Sequence, residues 1–137
     1  MTLRIREARE ADAAGVATLV RLSPDAVRTV IHARIAIVAV AGDDSHEGFV
    51  AFDAFEGAVH LTQLAGTMPV LRRLLRSPME FAQAEGMPVE TLTRADDSAH
   101  IGALQACGFT DAGVGPHFDG TQTRRLRWRS DELPDGE

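Results

Sequence analysis

The stretch VETLTRADDSAHIGALQACGF, Val89–Phe109, decides how this chain reads. Val89, Thr91 and Thr93 alternate with Glu90, Leu92 and Arg94, the period of a strand with one buried face. Asp96, Asp97 and Ser98 come next. Their short side chains carry an acceptor oxygen, which suits the start of a helix. Ile101, Ala103 and Leu104 can share one face of that helix. Gly108 stands where a helix needs a left-handed residue in order to stop, and Phe109 opens another apolar strand. The order is strand, acidic turn, short helix, strand.

The flanking segments have the same clarity. Leu3 to Glu7 alternates apolar and charged residues as a strand does. Asp12 then leads into Ala13, Val16, Ala17 and Val20, an apolar stripe at helical spacing. Ser23-Pro24 predicts a second helix start, with Val27, Val30 and Ile31 on its buried face. Ile35 to Ala41 is a continuous apolar run of strand length, suited to burial on both faces. Gly42 to Ser45 form a turn, Gly48 to Phe55 a strand, and Glu56-Gly57 a tight connection into the strand Ala58 to Ala65. Thr67 to Gly86 is helical. Ser77-Pro78-Met79-Glu80 reads as a capping box, which predicts a short helix through Arg76 and a second ending at Gly86; a single kinked helix is the alternative. Phe109 to Val114 and Thr121 to Trp128 read as a terminal hairpin joined through Gly115-Pro116 and Asp119-Gly120.

Composition narrows the function classes. At 137 residues the chain supports one domain with a real core, expected over residues 1–130 and followed by a disordered acidic tail, 131–137. Its net charge is −6, and Asp131, Glu132, Asp135 and Glu137 of the tail contribute four of those charges. All 14 basic residues are arginine, but the balance leaves no electrostatic footprint for nucleic acid. Apolar runs fall well short of the ~20 residues that cross a bilayer, and no segment reads as a signal peptide. The single cysteine, Cys107, has no internal disulfide partner. A cytoplasmic location is the expectation. The five histidines show no metal-type spacing, so no metal site is expected.

The Asp-led helix that ends in Gly108-Phe109, and the opening LRIREAREADAAGVATLVRL, resemble the GNAT N-acetyltransferase superfamily. The resemblance spans residues 3 to 129. It implies a single α/β (α+β) domain: a mixed, mostly antiparallel sheet of about six to seven strands flanked by about four helices. It also implies acetyl-CoA as cofactor. The pantetheine arm would pair with the end of the fourth strand, here Gln63, Leu64 and Ala65, and the pyrophosphate would sit at the following helix start, Gly66 and Thr67. An anion is favoured there because helix N-termini present unpaired N–H groups.

Two departures from the family pattern stand out. The family carries a glycine-rich loop at the helix start, whereas this chain reads LAGTMPVLRRLLR, with Gly66 alone and Pro69 where an N–H is wanted. Arg72, Arg73 and Arg76 either bind phosphate through their side chains or form a solvated face over a core of Leu71, Leu74 and Leu75. Many relatives place a tyrosine proton donor four residues before the glycine of Gly-Phe; here that residue is Leu104. The general base is expected near the fourth strand, where Glu56 and His60 are the candidates. His60 can equally fill a strand face. Asp97 takes the family's Asn position near the cofactor, and helix capping is its other reading.

Two functions follow from the resemblance. One is transfer of an acetyl group from acetyl-CoA to an amine. The other is a catalytically degenerate domain serving as a CoA-binding, regulatory or protein-interaction module. The expected partners are a small-molecule or protein amine acceptor and a second copy in a homodimer, not nucleic acid or membrane.

Overall fold

A computed structural model describes residues 2–117 and 120–130. The acidic segment from Asp131 onward, and Asp119 of the expected turn, lie outside the described residues. The strands are β1 (Leu3–Glu7), β2 (Ile35–Ala41), β3 (His46–Phe55), β4 (Ala58–Ala65), β5 (Val89–Arg94), β6 (Thr110–Val114) and β7 (Thr123–Trp128). The helices are α1 (Ala13–Val20), α2 (Pro24–Ala33), α3 (Met68–Glu85) and α4 (Ser98–Ala106). The strands form one mixed sheet of seven in the order β1-β2-β3-β4-β5-β7-β6. This is the expected α/β architecture. No helix among the described residues is long and apolar enough to cross a membrane.

The chain divides into two compact units. The first takes in residues up to Asp53 together with Thr62–Ser77, and the second Ala54–Leu61 and the residues from Pro78 onward.

In the first unit β1, β2 and β3 pair antiparallel, with Val38 opposite Phe49 and Ala36 opposite Ala51. These side chains share one face and pack against Val16 and Ala17 of α1 and Val27 of α2. The other face of β3 carries Gly48. A Cβ there would come within 2.5 Å of Val70 Cγ1 and 2.8 Å of Leu74 Cδ1, so the start of α3 lies directly on the β3 backbone. Coverage on both faces explains why β2 is an uninterrupted apolar run. Leu71, Leu74 and Leu75 are fully buried, each contributing about 2 kcal/mol through burial. They fix α3 with its arginines outward.

The α3 helix is one element rather than two, and Pro78 lies inside it. The capping-box reading of Ser77–Glu80 fails there. The buried positions 71, 74, 75, 78 and 82 form a single helical stripe that continues in phase through the proline. Burial of that stripe outweighs the hydrogen bond that Pro78 cannot donate.

In the second unit β4 and β5 pair in parallel from Val59↔Val89 to Leu61↔Thr91. β5 then pairs antiparallel with β7, and β7 with β6. Val89, Thr91 and Thr93 are the buried residues of β5, as their alternation predicts. The α4 helix ends as Gly108 predicts: Gly108 has φ +104°, its N–H donates to Gln105, and the N–H of Phe109 donates to Leu104 at 3.0 Å. β7 is an interior strand and β6 is the edge, because the hairpin folds back to put β7 against β5. Arg124 shares its face with Leu126 and Trp128 by strict alternation.

Candidate functional site

Most of the residues expected around the cofactor belong to the first unit, on a short path from β4 into α3. Gln63, Leu64 and Ala65 end β4, beyond the register that pairs Val59–Leu61 with β5. All three are partly exposed. The Gln63 amide oxygen accepts from the Thr62 hydroxyl at 2.8 Å, and that hydroxyl also lies 3.2 Å from the Ala51 carbonyl. The Gln63 amide nitrogen thus keeps its two donors for other partners.

Gly66 turns the chain. Its φ of +143° suits glycine alone, and a Cβ would lie 3.2 Å from Val70 Cγ1. The Thr67 carbonyl accepts from Leu71 at 2.9 Å, which starts α3. Pro69, second in the helix, offers no N–H to an anion. The helix start is therefore a poorer anion cradle than a glycine-rich loop. Positive charge follows within a turn, since Arg72, Arg73 and Arg76 are exposed on α3. Arg73 donates one N–H to the Leu3 carbonyl at 3.2 Å. A guanidinium has five N–H donors, so this bond still leaves capacity for phosphate.

The remaining candidates belong to the second unit. Glu56 and Gly57 have φ of +53° and +79° and form the tight β3–β4 turn, with Glu56 exposed. The His60 ring stacks on Phe55, with centroids 4.1 Å apart and planes at 21°. Its Nε2–H donates to the Phe55 carbonyl at 3.3 Å. That bond puts the proton on Nε2 and leaves Nδ1 as the basic nitrogen. Asp97 caps α4, accepting from the His100 N–H at 3.1 Å. Burial pushes the His100 imidazole below its usual range, and the Asp97 carboxylate opposes that shift. Leu104, where the resemblance points to a tyrosine, is fully buried in the core.

One cluster in the first unit escapes sequence reading. Asp12 accepts from Arg6 Nη2 at 2.8 Å and Nη1 at 2.9 Å, from the Arg9 N–H at 2.7 Å, and faces His46 Nε2 at 2.9 Å. The Arg6 guanidinium, with help from His46, holds the Asp12 carboxyl far below the usual carboxylate range. The only local signal was Asp12 ahead of α1, and its side chain does not cap that helix. Among the described residues no group of three or more His, Cys, Asp or Glu side chains is placed to hold a metal ion.

No protein-family model and no curated protein sequence matches the chain. Solved structures do. The ribosomal-protein-S18-alanine N-acetyltransferase from Escherichia coli superposes with a TM-score of 0.75 at 14% identity, covering 99% of each chain. The yncA protein from Salmonella typhimurium, solved with its cofactor acetyl-CoA, gives 0.74 at 15% identity over 100% of this chain and 99% of its own. A GNAT-family acetyltransferase from Streptococcus pneumoniae gives 0.69 at 19% identity over 93% and 99%. The fold of this chain is that of the GNAT N-acetyltransferase superfamily.

Proposed function

We propose that the chain is a GNAT-type N-acyltransferase that moves an acetyl group from acetyl-CoA to an amine. The observation that carries the reading is the passage from β4 through Gly66 into α3, set in an acetyltransferase fold. Gln63, Leu64 and Ala65 would hold the pantetheine arm through their backbone, beyond the β4–β5 register. Gly66, Thr67, Arg72 and Arg73 would hold the phosphates, with guanidinium charge standing in for the N–H that Pro69 lacks. Bound acetyl-CoA would supply an activated thioester. His60 Nδ1 would take the proton of the attacking amine, with Glu56 the neighbouring carboxylate on the β3–β4 turn. Asp97 would serve by holding the α4 start through its bond from the His100 N–H.

Leu104 favours a second reading. With no proton donor at that buried position, the domain would bind CoA and act as a regulatory or protein-interaction module.

Thermal shift with acetyl-CoA, paired with a thiol-release assay across a panel of amines, separates the two. Binding raises stability by about 3 kcal/mol at a hundred times the dissociation constant. A shift with turnover supports the transferase; a shift without turnover on any amine supports the module. No shift at millimolar acetyl-CoA overturns both.

A further inference from the structure

Strand β7 carries Arg124, Arg125 and Arg127, and the structure treats them differently. Arg124 is ion-paired to Asp111 at 2.6 Å, and Arg127 to Glu90 at 2.9 Å. Arg125, between them, is half-buried and has no carboxylate within ion-pair distance among the described residues. Its cross-strand neighbours are Leu92 on β5 and Gly113 on β6. Gly113 has no side chain to cover the guanidinium. Leu92 is 38% exposed, a large apolar side chain beside the unpaired charge. Alternation puts Leu92 and Arg125 on the sheet face opposite to Val89, Thr91, Leu126 and Trp128, all of which are buried.

A half-buried arginine with no carboxylate partner among the described residues has room for one from outside, and Arg127, on the same face, already has Glu90. The missing group is a carboxylate, whose two oxygens match the guanidinium fork. A ligand that also covers Leu92 must carry an apolar group next to that carboxylate. We propose that this face of β5, β7 and β6 docks an acidic peptide segment, with a Glu or Asp on Arg125 and an adjacent apolar side chain on Leu92. Nucleic acid fits less well. It needs a continuous basic stripe, whereas two of these three arginines are already neutralised and the chain carries a net charge of −6. The proposal is independent of acetyl transfer, because none of these residues belongs to the cofactor site.

The test is fluorescence anisotropy of a short labelled peptide of alternating glutamate and leucine, titrated with the full chain at low salt. Saturable binding that weakens with salt is expected. Arg125→Glu should weaken it at least about tenfold. Arg9→Glu, with the same change in net charge at an exposed arginine of the first unit, should leave it within about twofold. Arg125→Gln keeps most of the side-chain stem and gives a second reading if the glutamate variant does not fold. Absence of saturable binding overturns the proposal, as does equal weakening by Arg9→Glu. Single-stranded DNA binding more tightly than the peptide, with the same dependence on Arg125, also overturns it.

Discussion

His46 and Asp12 meet at 2.9 Å, Nε2 to Oδ1, although 34 positions separate them in the chain. The meeting requires Gly15. A Cβ on that residue would lie 2.2 Å from His46 Nδ1, so the ring rests on the bare backbone of α1. One carboxylate thereby ties the end of β1, the start of α1 and the first residue of β3.

Gly15→Ala should destabilise the protein by about 2 kcal/mol, because overpacking outweighs the gain in helix propensity. His46→Ala in the same chain should recover most of that loss. Urea midpoints of the two single variants and the double variant measure the coupling. Simple additivity would show that the contact does not carry the effect.

Asp12→Ala should cost about 3 kcal/mol, since it strands the Arg6 guanidinium against a buried site. The pH dependence has a definite sign. The Asp12 carboxyl titrates in the folded state below its unfolded value of about 4. Its contribution is present above that value and is lost as pH falls through the folded one. Urea unfolding of the parent should weaken from about pH 4 downward, and Asp12→Asn should flatten that slope. An unchanged slope in Asp12→Asn would assign the acid sensitivity to other groups.

Leu104→Tyr should not create a proton donor. Leu104 is fully buried, so a larger polar side chain there overpacks the second unit, at a cost of about 2 kcal/mol. The expected result is a lower melting temperature with no gain in acetyl transfer. A gain in kcat would show that the position opens to the thioester after all.

His60→Gln should lower kcat by about a hundredfold at any turnover the chain has, while leaving the acetyl-CoA thermal shift unchanged. The glutamine keeps a donor for the Phe55 carbonyl, which guards against a merely structural effect. Equal loss of the thermal shift would make His60 a packing residue.

Gly108→Ala should cost about 2 kcal/mol. The residue has φ +104°, and a Cβ would lie 3.2 Å from Trp128 Cδ1. Thermal unfolding measures it, and a neutral result would mean that the helix end relaxes.

Features carried by neighbouring residues were legible in the chain itself. The bounds of Ile35–Ala41, Ala58–Ala65 and Val89–Arg94 follow from burial period and turn chemistry, which act over a few residues. The Ser23 and Asp97 caps and the Gly108 stop are equally local. Pro78 misled because a local breaker was weighed without the stripe from Leu71 to Ala82 that overrides it. The Asp12–His46 pair left no trace because it is set by the β2–β3 turn returning to α1. At the candidate site, the place of Gly66 between the end of β4 and the start of α3 was legible. The stacking of His60 on Phe55 across the hairpin, and the Arg73 bond to Leu3, depend on tertiary placement and were not.

The position of β7 has a consequence for how the protein is made. Strand β7, made after β6, fills the slot between β5 and β6. During synthesis β5, α4 and β6 are therefore all made before the strand that lies between β5 and β6, and that side of the sheet closes only once β7 has emerged. Until then β5 carries an open hydrogen-bonding edge, and the nascent polypeptide is exposed to mispairing there.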